Sequence, residues 1–414
     1  NMTIQAQKGT KDILPGDSQK WQFMEETAKE VFSNANYQEI RTPIFEATEL
    51  FSRGVGTTTD IVNKEMYTFI QKERSITLRP ENTAGVVRAF IENGMHRLSA
   101  PVKLWYHGPM FRYERPQAGR QRQFHQVGLE LFGIEGPIAD AEAIAMAIEY
   151  LKKLGLPDLS LEINSLGCPK CRTAYRDRLK EVISKNIDQF CENCRSRLDK
   201  NPLRILDCKV PQCQELLADK EIQDVINSDF ICEECSDHFE KLKEYLDAMG
   251  VKYSINKLLV RGLDYYNRTV FEIKSNSLGS QNAVCGGGRY DALTELLGGQ
   301  PTYSVGWAMG MERLLSLINY DVKDYLDVFV VSSSAKEAFL LAQYLREHGF
   351  KSDFDMNCKN FKKQFEKASK MNAKYAFVLG EDEINNSTVT VKNLSTTEQK
   401  IIKRDDMLNF LNQV

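Results

Sequence analysis

No run of apolar residues in this 414-residue sequence approaches the roughly 18 that a membrane-spanning helix needs. The N-terminus also lacks the positively charged stretch and following apolar segment that mark an export signal. A formal net charge of −3 excludes a uniformly basic nucleic-acid-binding protein, so contacts with nucleic acid would have to come from local basic surfaces. We therefore expect a cytoplasmic protein without a membrane partner.

Internal repeats and low-complexity tracts are missing too, and 42% hydrophobic with 27% charged residues is typical of a globular protein. A chain of 414 residues exceeds what one hydrophobic core usually organises, which predicts more than one domain. A buried-strand run at Val328–Val331, followed by a helical pattern from Ala335, predicts a small α/β domain over residues 326–414. Residues 1–325 then form a larger domain, which a charged, cysteine-rich insertion interrupts at about 167–250.

The densest chemical signal is the stretch FRYERPQAGRQRQFHQVGLELFG, residues 111–133. Apolar alternation on both sides of its polar middle predicts a long hairpin of two strands. Planar guanidinium groups suit bidentate recognition of phosphate oxygens, and a phenylalanine ring can stack on a nucleobase. The hairpin carries such groups at Arg112, Arg115, Arg120, Arg122 and Phe124.

The second strand of this hairpin has period two, which puts a glycine between two polar side chains on one face. The residues of that face are Gln126, Gly128, Glu130 and Phe132. We expect open space over Gly128 that could receive a small polar molecule. The alternative, which this stretch alone does not exclude, is a solvated basic hairpin with a buried Gln/Glu pair.

Six stretches follow one another in the order typical of class II aminoacyl-tRNA synthetases, and the set is most similar to the histidyl-tRNA synthetases. They are Arg41–Glu46, Thr77–Thr83, Phe111–Gly133, Leu259–Tyr266, Ala283–Tyr290 and Ser304–Arg313. The resemblance covers nearly the whole chain. It implies an α+β fold with an antiparallel sheet flanked by helices, an inserted helical cysteine-rich segment and a C-terminal α/β anticodon-binding domain.

The same resemblance implies a histidine–tRNA ligase, which activates L-histidine with ATP and Mg²⁺ to histidyl-adenylate and then transfers it to the 3′ end of tRNA(His). Because the first stretch, Arg41–Glu46, builds a dimer interface in the family, it also implies a homodimer. Histidine's carboxylate and the α-phosphate are both anions, so positioning and electrostatic stabilisation should dominate catalysis. The chemistry requires no side-chain nucleophile.

Three arginines are the catalytic residues that the resemblance implies. Arg112 would hold the α-phosphate and Arg313 the γ-phosphate, with Arg120 and the stacking ring of Phe124 completing the ATP site. Arg261 would lie between the α-phosphate and the amino acid's carboxylate, and we expect it to matter most.

Taken alone, Arg261 would be interpreted as a surface ion pair with an acid such as Asp264. Arg313, in turn, would lie on a helix face that it shares with Gly306 and Gly310.

Histidine offers an ammonium group and an imidazole, and a site that bonds both would reject analogues lacking them. Glu81 and Thr83 suit the ammonium group. The other predicted histidine-binding residues are Gln126, Glu130, Tyr265, Tyr266 and Tyr290. We interpret Gly286–Gly288 as a tight turn under this pocket, since the chain contains no G-x-x-x-x-G-K-[ST] phosphate loop.

Two C-x-x-C pairs lie in the insertion, separated by 19 residues, which is a spacing typical of a four-cysteine zinc site. The predicted ligands are Cys168, Cys171, Cys191 and Cys194. The ligand set is open, because Cys208, Cys213, Cys232 and Cys235 could replace some of them or form a second site. Zinc itself is open as well, because buried reduced cysteines are common and the family resemblance does not require a metal.

Contacts with tRNA are predicted at two places. Arg115 and Gln117 are candidates for its acceptor end, on resemblance alone. In the C-terminal domain a helix with an apolar face at Phe361, Phe365, Ala368 and Met371 carries lysines on another side, at Lys363, Lys367, Lys370 and Lys374. Those lysines either meet tRNA phosphates or form a solvated surface.

Two rival functions belong to other classes. A catalytically silent paralogue would bind histidine to regulate an enzyme of histidine biosynthesis, but it would usually lose parts of the ATP and amino-acid sites. A zinc-dependent RNA-binding module would leave the first 160 residues unexplained.

Overall fold

The structure is a computed structural model that describes residues 2–57, 59–116, 120–156, 158–278 and 283–414. The chain divides into two compact units, Asn1–Tyr320 and Asp321–Val414. Among the described helices, none combines the length and the apolar character that crossing a membrane would require.

The strands, in chain order, are β1 (Gln38–Glu39), β2 (Phe45–Ala47), β3 (Tyr67–Gln71), β4 (Arg74–Leu78), β5 (Val102–Phe111), β6 (Gln123–Phe132), β7 (Leu159–Ser165), β8 (Tyr253–Ile255), β9 (Asn267–Ser275), β10 (Ala283–Arg289), β11 (Ser304–Gly310), β12 (Leu326–Ser332), β13 (Ser352–Phe354), β14 (Ala373–Leu379), β15 (Thr388–Asn393) and β16 (Gln399–Lys403). The α-helices are α1 (Asp17–Asn34), α2 (Thr48–Gly54), α3 (Thr83–Glu92), α4 (Ile138–Lys153), α5 (Pro169–Ser184), α6 (Glu192–Lys200), α7 (Pro211–Leu217), α8 (Lys220–Ile226), α9 (Glu233–Ala248), α10 (Leu293–Leu296), α11 (Met311–Leu317), α12 (Ala335–Glu347), α13 (Phe361–Lys370), α14 (Glu381–Asn386) and α15 (Met407–Asn412).

An eight-stranded sheet organises the first unit, in the order β1-β5-β6-β11-β10-β9-β7-β8. Its inner pairs are antiparallel, as predicted, and only the edge pairs β1–β5 and β7–β8 are parallel. A separate three-stranded sheet has the order β2-β4-β3, and α3 follows its strand β4 in the sequence. The predicted α+β fold class is therefore confirmed.

The two faces of the large sheet have different cores. One face packs on α1 and α4, whose buried side chains include Phe32, Ile144 and Tyr150. The other face packs on α3 and on the helices of the insertion, where Phe90 and Leu179 are buried. The buried residues of α1 have near-helical spacing: Trp21, Met24, Ala28, Val31 and Phe32.

The insertion leaves the sheet after β7 and returns to it at β8. It consists of α5 to α9 with a short 3-10 helix at Pro202–Asp207, so the predicted helical character is confirmed. Its helices bury aliphatic and aromatic residues in the same core as the sheet face that packs on α3. The insertion is thus a packed part of the first unit.

The second unit is a five-stranded sheet in the order β13-β12-β14-β15-β16, with β12 parallel to both of its neighbours. The predicted apolar face of α13 is partly wrong. Phe361 is 37% exposed, whereas Gln364 is buried and bonds the backbone of Ser332. The amide of Gln364 can replace an apolar side chain there because its donor and acceptor are both satisfied.

The four predicted lysines do not form one helical stripe. Lys374 lies on β14, 3.9 Å from a carboxylate oxygen of Asp327, while Lys367 lies 3.6 Å from Asp355. Lys363 and Lys370 are exposed on α13. The helix ends at Lys370, before the fourth lysine, so the spacing of the four residues does not give them a common face.

Candidate active site

The predicted hairpin is confirmed as β5 and β6, which pair antiparallel with Tyr106 opposite Gly128. The odd-numbered residues of β6, Val127, Leu129 and Leu131, belong to the apolar core on the α1 side. The even-numbered residues face the other side, where Glu130 is fully buried. One strand thus separates an apolar core from a polar pocket.

The open space predicted over Gly128 is filled, because a Cβ at that position would overlap the ring of Tyr106. Tyr106 is 1% exposed, and its hydroxyl lies beside Thr83 and Glu130. The prediction was wrong because the pattern of one strand does not reveal the side chain of its neighbour. Sequence reasoning missed Tyr106 as a site residue, although its position opposite a glycine is the signal that could have found it.

Glu130 is the centre of the polar pocket. One carboxylate oxygen accepts a hydrogen bond from Thr83 Oγ1 at 2.7 Å, and the other accepts one from the hydroxyl of Tyr290. Burial raises the pKa of Glu130 well above its ordinary value, and the nearby charge of Glu81 raises it further. A carboxylate held this way is a strong acceptor for a ligand that brings its own proton donors.

Glu81 lies two residues before α3, and its carboxylate accepts bonds from the backbone N–H groups of Thr83 (2.8 Å) and Ala84 (3.1 Å). The hydroxyl of Tyr265 also donates to it at 3.5 Å. Burial raises the pKa of Glu81, while the two backbone bonds lower it. Two buried carboxylates, Glu81 and Glu130, therefore meet at Thr83 and make the pocket attractive to a cation.

Three tyrosines line the same pocket and are nearly inaccessible to solvent. The ring of Tyr265 lies 4.7 Å from that of Tyr266 and 5.6 Å from that of Tyr290. Gln126 points its Oε1 into buried space without a hydrogen-bond partner among the described residues. Six of the seven residues predicted to bind histidine are thus joined by these contacts, and Gln126 lies on the same face of β6 as Glu130.

Arg261 lies across β10, because a Cβ on Gly286 would overlap its guanidinium group. Its Nη1 donates to Glu272 Oε1 at 2.6 Å, and its buried Nε has no partner within the described part of the chain. Among the described residues, the ion pair of Arg261 is with Glu272 and not with Asp264, which accepts a bond from Asn201 at 3.2 Å and lies 3.8 Å from Arg204. Glu272 is a second residue that sequence reasoning missed, and it lies outside all the recognised stretches.

The interpretation of Gly286–Gly288 as a turn was wrong, because these residues lie inside the strand β10. Glycine serves there because other groups approach the strand closely, which is the other common reason for glycine in a sheet. The guanidinium of Arg261 occupies the volume that a side chain at Gly286 would need.

Arg112 directly follows β5, at the turn end of the hairpin. Its Nε donates to the carbonyl oxygen of Pro80 at 2.8 Å, and its guanidinium carbon lies 5.1 Å from the ring centre of Phe124. Burial lowers the pKa of Arg112. The remaining N–H groups of Arg112 can donate hydrogen bonds to a phosphate group. The half-buried ring of Phe124 offers a stacking surface beside them.

Arg313 donates from Nη1 to the carbonyl oxygen of Ala283 at 2.6 Å. Burial, and then the charge of nearby Arg120, lowers the pKa of Arg313. Two cations that repel each other are suited to an anion with several charges, such as a triphosphate. The predicted helix face of Arg313 was wrong, because Gly306 and Gly310 belong to the strand β11, which ends just before α11.

Of the two predicted tRNA contacts, Arg115 is exposed near the hairpin turn. Gln117 lies outside the described residues.

The predicted single site of Cys168, Cys171, Cys191 and Cys194 is not formed. The first pair meets Cys232 and Cys235, and the second pair meets Cys208 and Cys213. The spacing was misleading because the 16-residue helix α5 separates the two pairs. At 1.5 Å per residue this helix spans about 24 Å. Each group could hold a metal ion, since its four Sγ atoms lie within 4.8 Å of one another.

Comparison with known families places both units. A family model described as histidyl-tRNA synthetase matches residues 9–314, and one described as anticodon binding domain matches residues 327–414. A curated histidine–tRNA ligase of Halothermothrix orenii is 49% identical over 407 residues, which cover 96% of each chain.

Solved structures agree with this. The apo histidyl-tRNA synthetase of S. aureus is 39% identical, has a TM-score of 0.82 and covers 99% of this chain and 100% of its own. A Bacillus halodurans protein described as an ATP phosphoribosyltransferase regulatory subunit/histidyl-tRNA synthetase shares the fold at 22% identity and a TM-score of 0.67, covering 92% of this chain and 98% of its own.

Proposed function

This chain belongs to the histidyl-tRNA synthetase family, and we propose that it activates L-histidine with ATP and transfers the histidyl group to the 3′ end of tRNA(His). It is thus a histidine–tRNA ligase of the class II aminoacyl-tRNA synthetases. The rival without catalysis that binds only RNA does not account for the polar pocket of the first unit.

One observation carries the assignment of the pocket: Glu81, Thr83 and Glu130 form a connected, buried acidic site, and Tyr266 lies near both Glu130 and the guanidinium of Arg261. The ammonium group of histidine would lie against Glu81 and Thr83. Its imidazole would reach Glu130, with Gln126 and the three tyrosines Tyr265, Tyr266 and Tyr290 supplying the remaining donors and acceptors. The carboxylate would then face Arg261.

The arginines beyond this pocket would hold ATP. We propose that Arg112 binds the α-phosphate beside adenine stacked on Phe124, and that Arg313 with Arg120 binds the γ-phosphate. Arg261 and Arg112 would stabilise the charge that develops on the α-phosphate as histidine's carboxylate attacks it, while pyrophosphate leaves. Magnesium accompanies ATP, and for the cysteine-rich insertion we propose zinc, because clustered thiolates are ligands that zinc prefers.

The binding of tRNA is proposed for two regions. Residues 326–414 would bind the anticodon as a domain separate from the catalytic domain 1–325, and Arg115 with Gln117 would meet the acceptor end. Lys363 and Lys370, which are exposed on α13, are the lysines best placed for phosphate contacts.

A homodimer in the cytoplasm is the proposed form. It is supported by apolar side chains exposed on and beside the three-stranded sheet, at Ile44, Phe45, Phe69 and Ile70. Such a patch is typical of a surface that a second subunit covers.

The test is histidine-dependent exchange of pyrophosphate into ATP, followed by charging of tRNA(His). We expect exchange with histidine and none with the other amino acids. Well-folded protein that binds histidine but exchanges no pyrophosphate would contradict the proposal and favour the silent regulatory paralogue.

A further inference from the structure

We infer that the insertion holds two separate zinc ions, one in each group of four cysteines, and that the ion at its base positions the histidine-binding segment. The base cluster is Cys168, Cys171, Cys232 and Cys235, and the outer cluster is Cys191, Cys194, Cys208 and Cys213. The metal count stands independently of the proposed function, whereas the effect on histidine rests on it.

Distances between sulfur atoms fit a tetrahedral metal cage. Zinc–sulfur bonds of about 2.3 Å in a tetrahedron put the sulfurs about 3.8 Å apart. In the base cluster Cys171 lies 3.6 Å from Cys168 and 3.9 Å from Cys235, and Cys168 lies 4.0 Å from Cys232. A disulfide would need about 2.05 Å, so these thiols are not paired in disulfides.

The outer cluster has the same form, with 3.9 Å between the sulfurs of Cys191 and Cys208. Backbone N–H groups also point at the sulfurs: that of Cys168 donates to Cys171 and Cys235, and that of Cys191 donates to Cys213, at 3.1 to 3.2 Å. Such bonds offset the negative charge of thiolates bound to a metal. Both clusters therefore present a ligand set and its supporting donors.

Helix geometry adds to this arrangement. Cys168, Cys191 and Cys232 each immediately precede a helix, namely α5, α6 and α9. The positive end of a helix dipole favours the thiolate over the thiol. Three of the eight sulfurs thus lie where the backbone itself stabilises the metal-binding form.

The base cluster ties together the two ends of the insertion. Cys168 follows β7 by three residues and Cys235 begins the return through α9 to β8, so the cluster closes the insertion where it joins the sheet. Arg172, one residue after Cys171, donates to the carbonyl oxygen of Tyr266. Gly167, one residue before Cys168, accepts from the backbone N–H of Arg268 at 2.9 Å.

This connection reaches the substrate pocket because Tyr266 is one of its buried tyrosines. An ion in the base cluster would fix the start of α5, and with it Arg172, against the backbone of Tyr266. A metal that acts through a neighbouring residue in this way is a positioning group. We expect its loss to weaken histidine binding about tenfold, as for other groups that orient a site from behind it.

The outer cluster joins α6, the 3-10 helix Pro202–Asp207 and α7, all within the insertion. Its ion would hold these short elements together. No cysteine of this cluster is adjacent in sequence to a residue that bonds the pocket tyrosines, within the described part of the chain. The two ions should therefore differ in their effect on the affinity for histidine.

Metal analysis of the full-length protein purified without added metal tests the count. We expect two zinc ions per chain, one in Cys232→Ser/Cys235→Ser, one in Cys208→Ser/Cys213→Ser, and two in Cys358→Ser, which alters a cysteine outside both clusters. Fewer than two zinc ions in the unaltered chain, or iron in place of zinc, would overturn the inference.

Kinetics of histidine activation test the role. The base-cluster variant should raise KM for histidine about tenfold with little change in KM for ATP, whereas the outer-cluster variant should leave KM for histidine within about twofold. Equal KM changes in both variants would refute the positioning role.

If either variant fails to fold, the test uses the unaltered chain loaded with cobalt in place of zinc. Two cobalt ions per chain, both with thiolate charge-transfer absorption and the visible bands of tetrahedral cobalt, are expected. Binding of one such ion, or of octahedral cobalt without thiolate absorption, would reject the two sites.

Discussion

The two faces of strand β6 bury different kinds of side chain. Val127, Leu129 and Leu131 face an apolar core that α1 and α4 complete. On the opposite face, Glu130 is equally inaccessible but carries a carboxylate. Residues adjacent in sequence thus contribute to the protein in opposite ways.

The comparison teaches that burial stabilises one face and costs free energy on the other. Removing apolar surface from water contributes about 25 cal/mol per Å². Burying a carboxylate is unfavourable, and the raised pKa values of Glu81 and Glu130 express that cost. We infer that the polar face is retained for its substrate, so changes on the two faces should separate activity from stability.

The largest effect is expected for Arg261→Ala on the polar face. Removing a preorganised cation that faces the reacting phosphate should lower the rate of histidine activation by about 10³-fold, roughly 4 kcal/mol. Pyrophosphate exchange measures the rate, and circular dichroism checks the fold. Arg53→Ala, at an exposed arginine that pairs with Glu49, is the matched control. A loss of less than tenfold would remove Arg261 from the catalytic residues.

Leu129→Ala on the apolar face should do the reverse. The cavity left by a fully buried leucine should lower the free energy of unfolding by about 2–5 kcal/mol, while the folded fraction keeps its KM for histidine. Urea denaturation and steady-state kinetics measure the two quantities. Leu98→Ala, at a leucine that is 57% exposed, should change neither. A changed KM with unchanged stability would break the distinction between the faces.

Glu130→Gln tests whether the buried charge serves the ligand. The amide brings a donor where Thr83 and Tyr290 already donate, so histidine binding should weaken by about 2 kcal/mol, roughly 30-fold in KM. Stability should stay the same or rise, because a buried charge has been removed. Glu49→Gln at an exposed position is the control. A clear loss of stability with normal KM would assign Glu130 a structural role.

His238 provides a smaller test, because it is a polar residue among the packed side chains of α9. Burial, and then the charges of Arg289 and Arg268, lowers the pKa of His238 from 6.5 to about 3. Between these pH values the unfolded chain binds a proton that the folded chain does not, so stability should fall as the pH falls from 6.5 towards 3.

Replacing His238 with glutamine should reduce the slope of the free energy of unfolding against pH by the contribution of up to one proton. That contribution is about 1.4 kcal/mol per pH unit. Asp140, 3.6 Å from His238, contributes in the opposite direction, since burial raises its pKa to about 6. Comparing unfolding free energies of the two proteins at several pH values isolates the histidine. His96→Gln at an exposed position should leave the slope unchanged. An unaltered slope in His238→Gln would show that His238 is protonated in the folded protein.

Periodicity and short motifs in the sequence determined much of this protein. The near-helical spacing of Trp21, Met24 and Ala28 is that of one face of α1, and alternation predicted the hairpin β5–β6 with Glu130 on its polar face. These signals suffice because both periods follow from the geometry of one element, which the local chain specifies. The recognised stretches then indicated the family and the elements that carry the pocket.

Tertiary structure alone decided which groups meet. Tyr106 fills the space over Gly128 from the neighbouring strand, and Glu272 rather than Asp264 pairs with Arg261. The two cysteine pairs likewise separated into two clusters, because the length of α5 carries one pair away from the other. Spacing along the chain cannot show such contacts, since they depend on how distant elements pack against each other and on which side chains that packing brings within bonding distance.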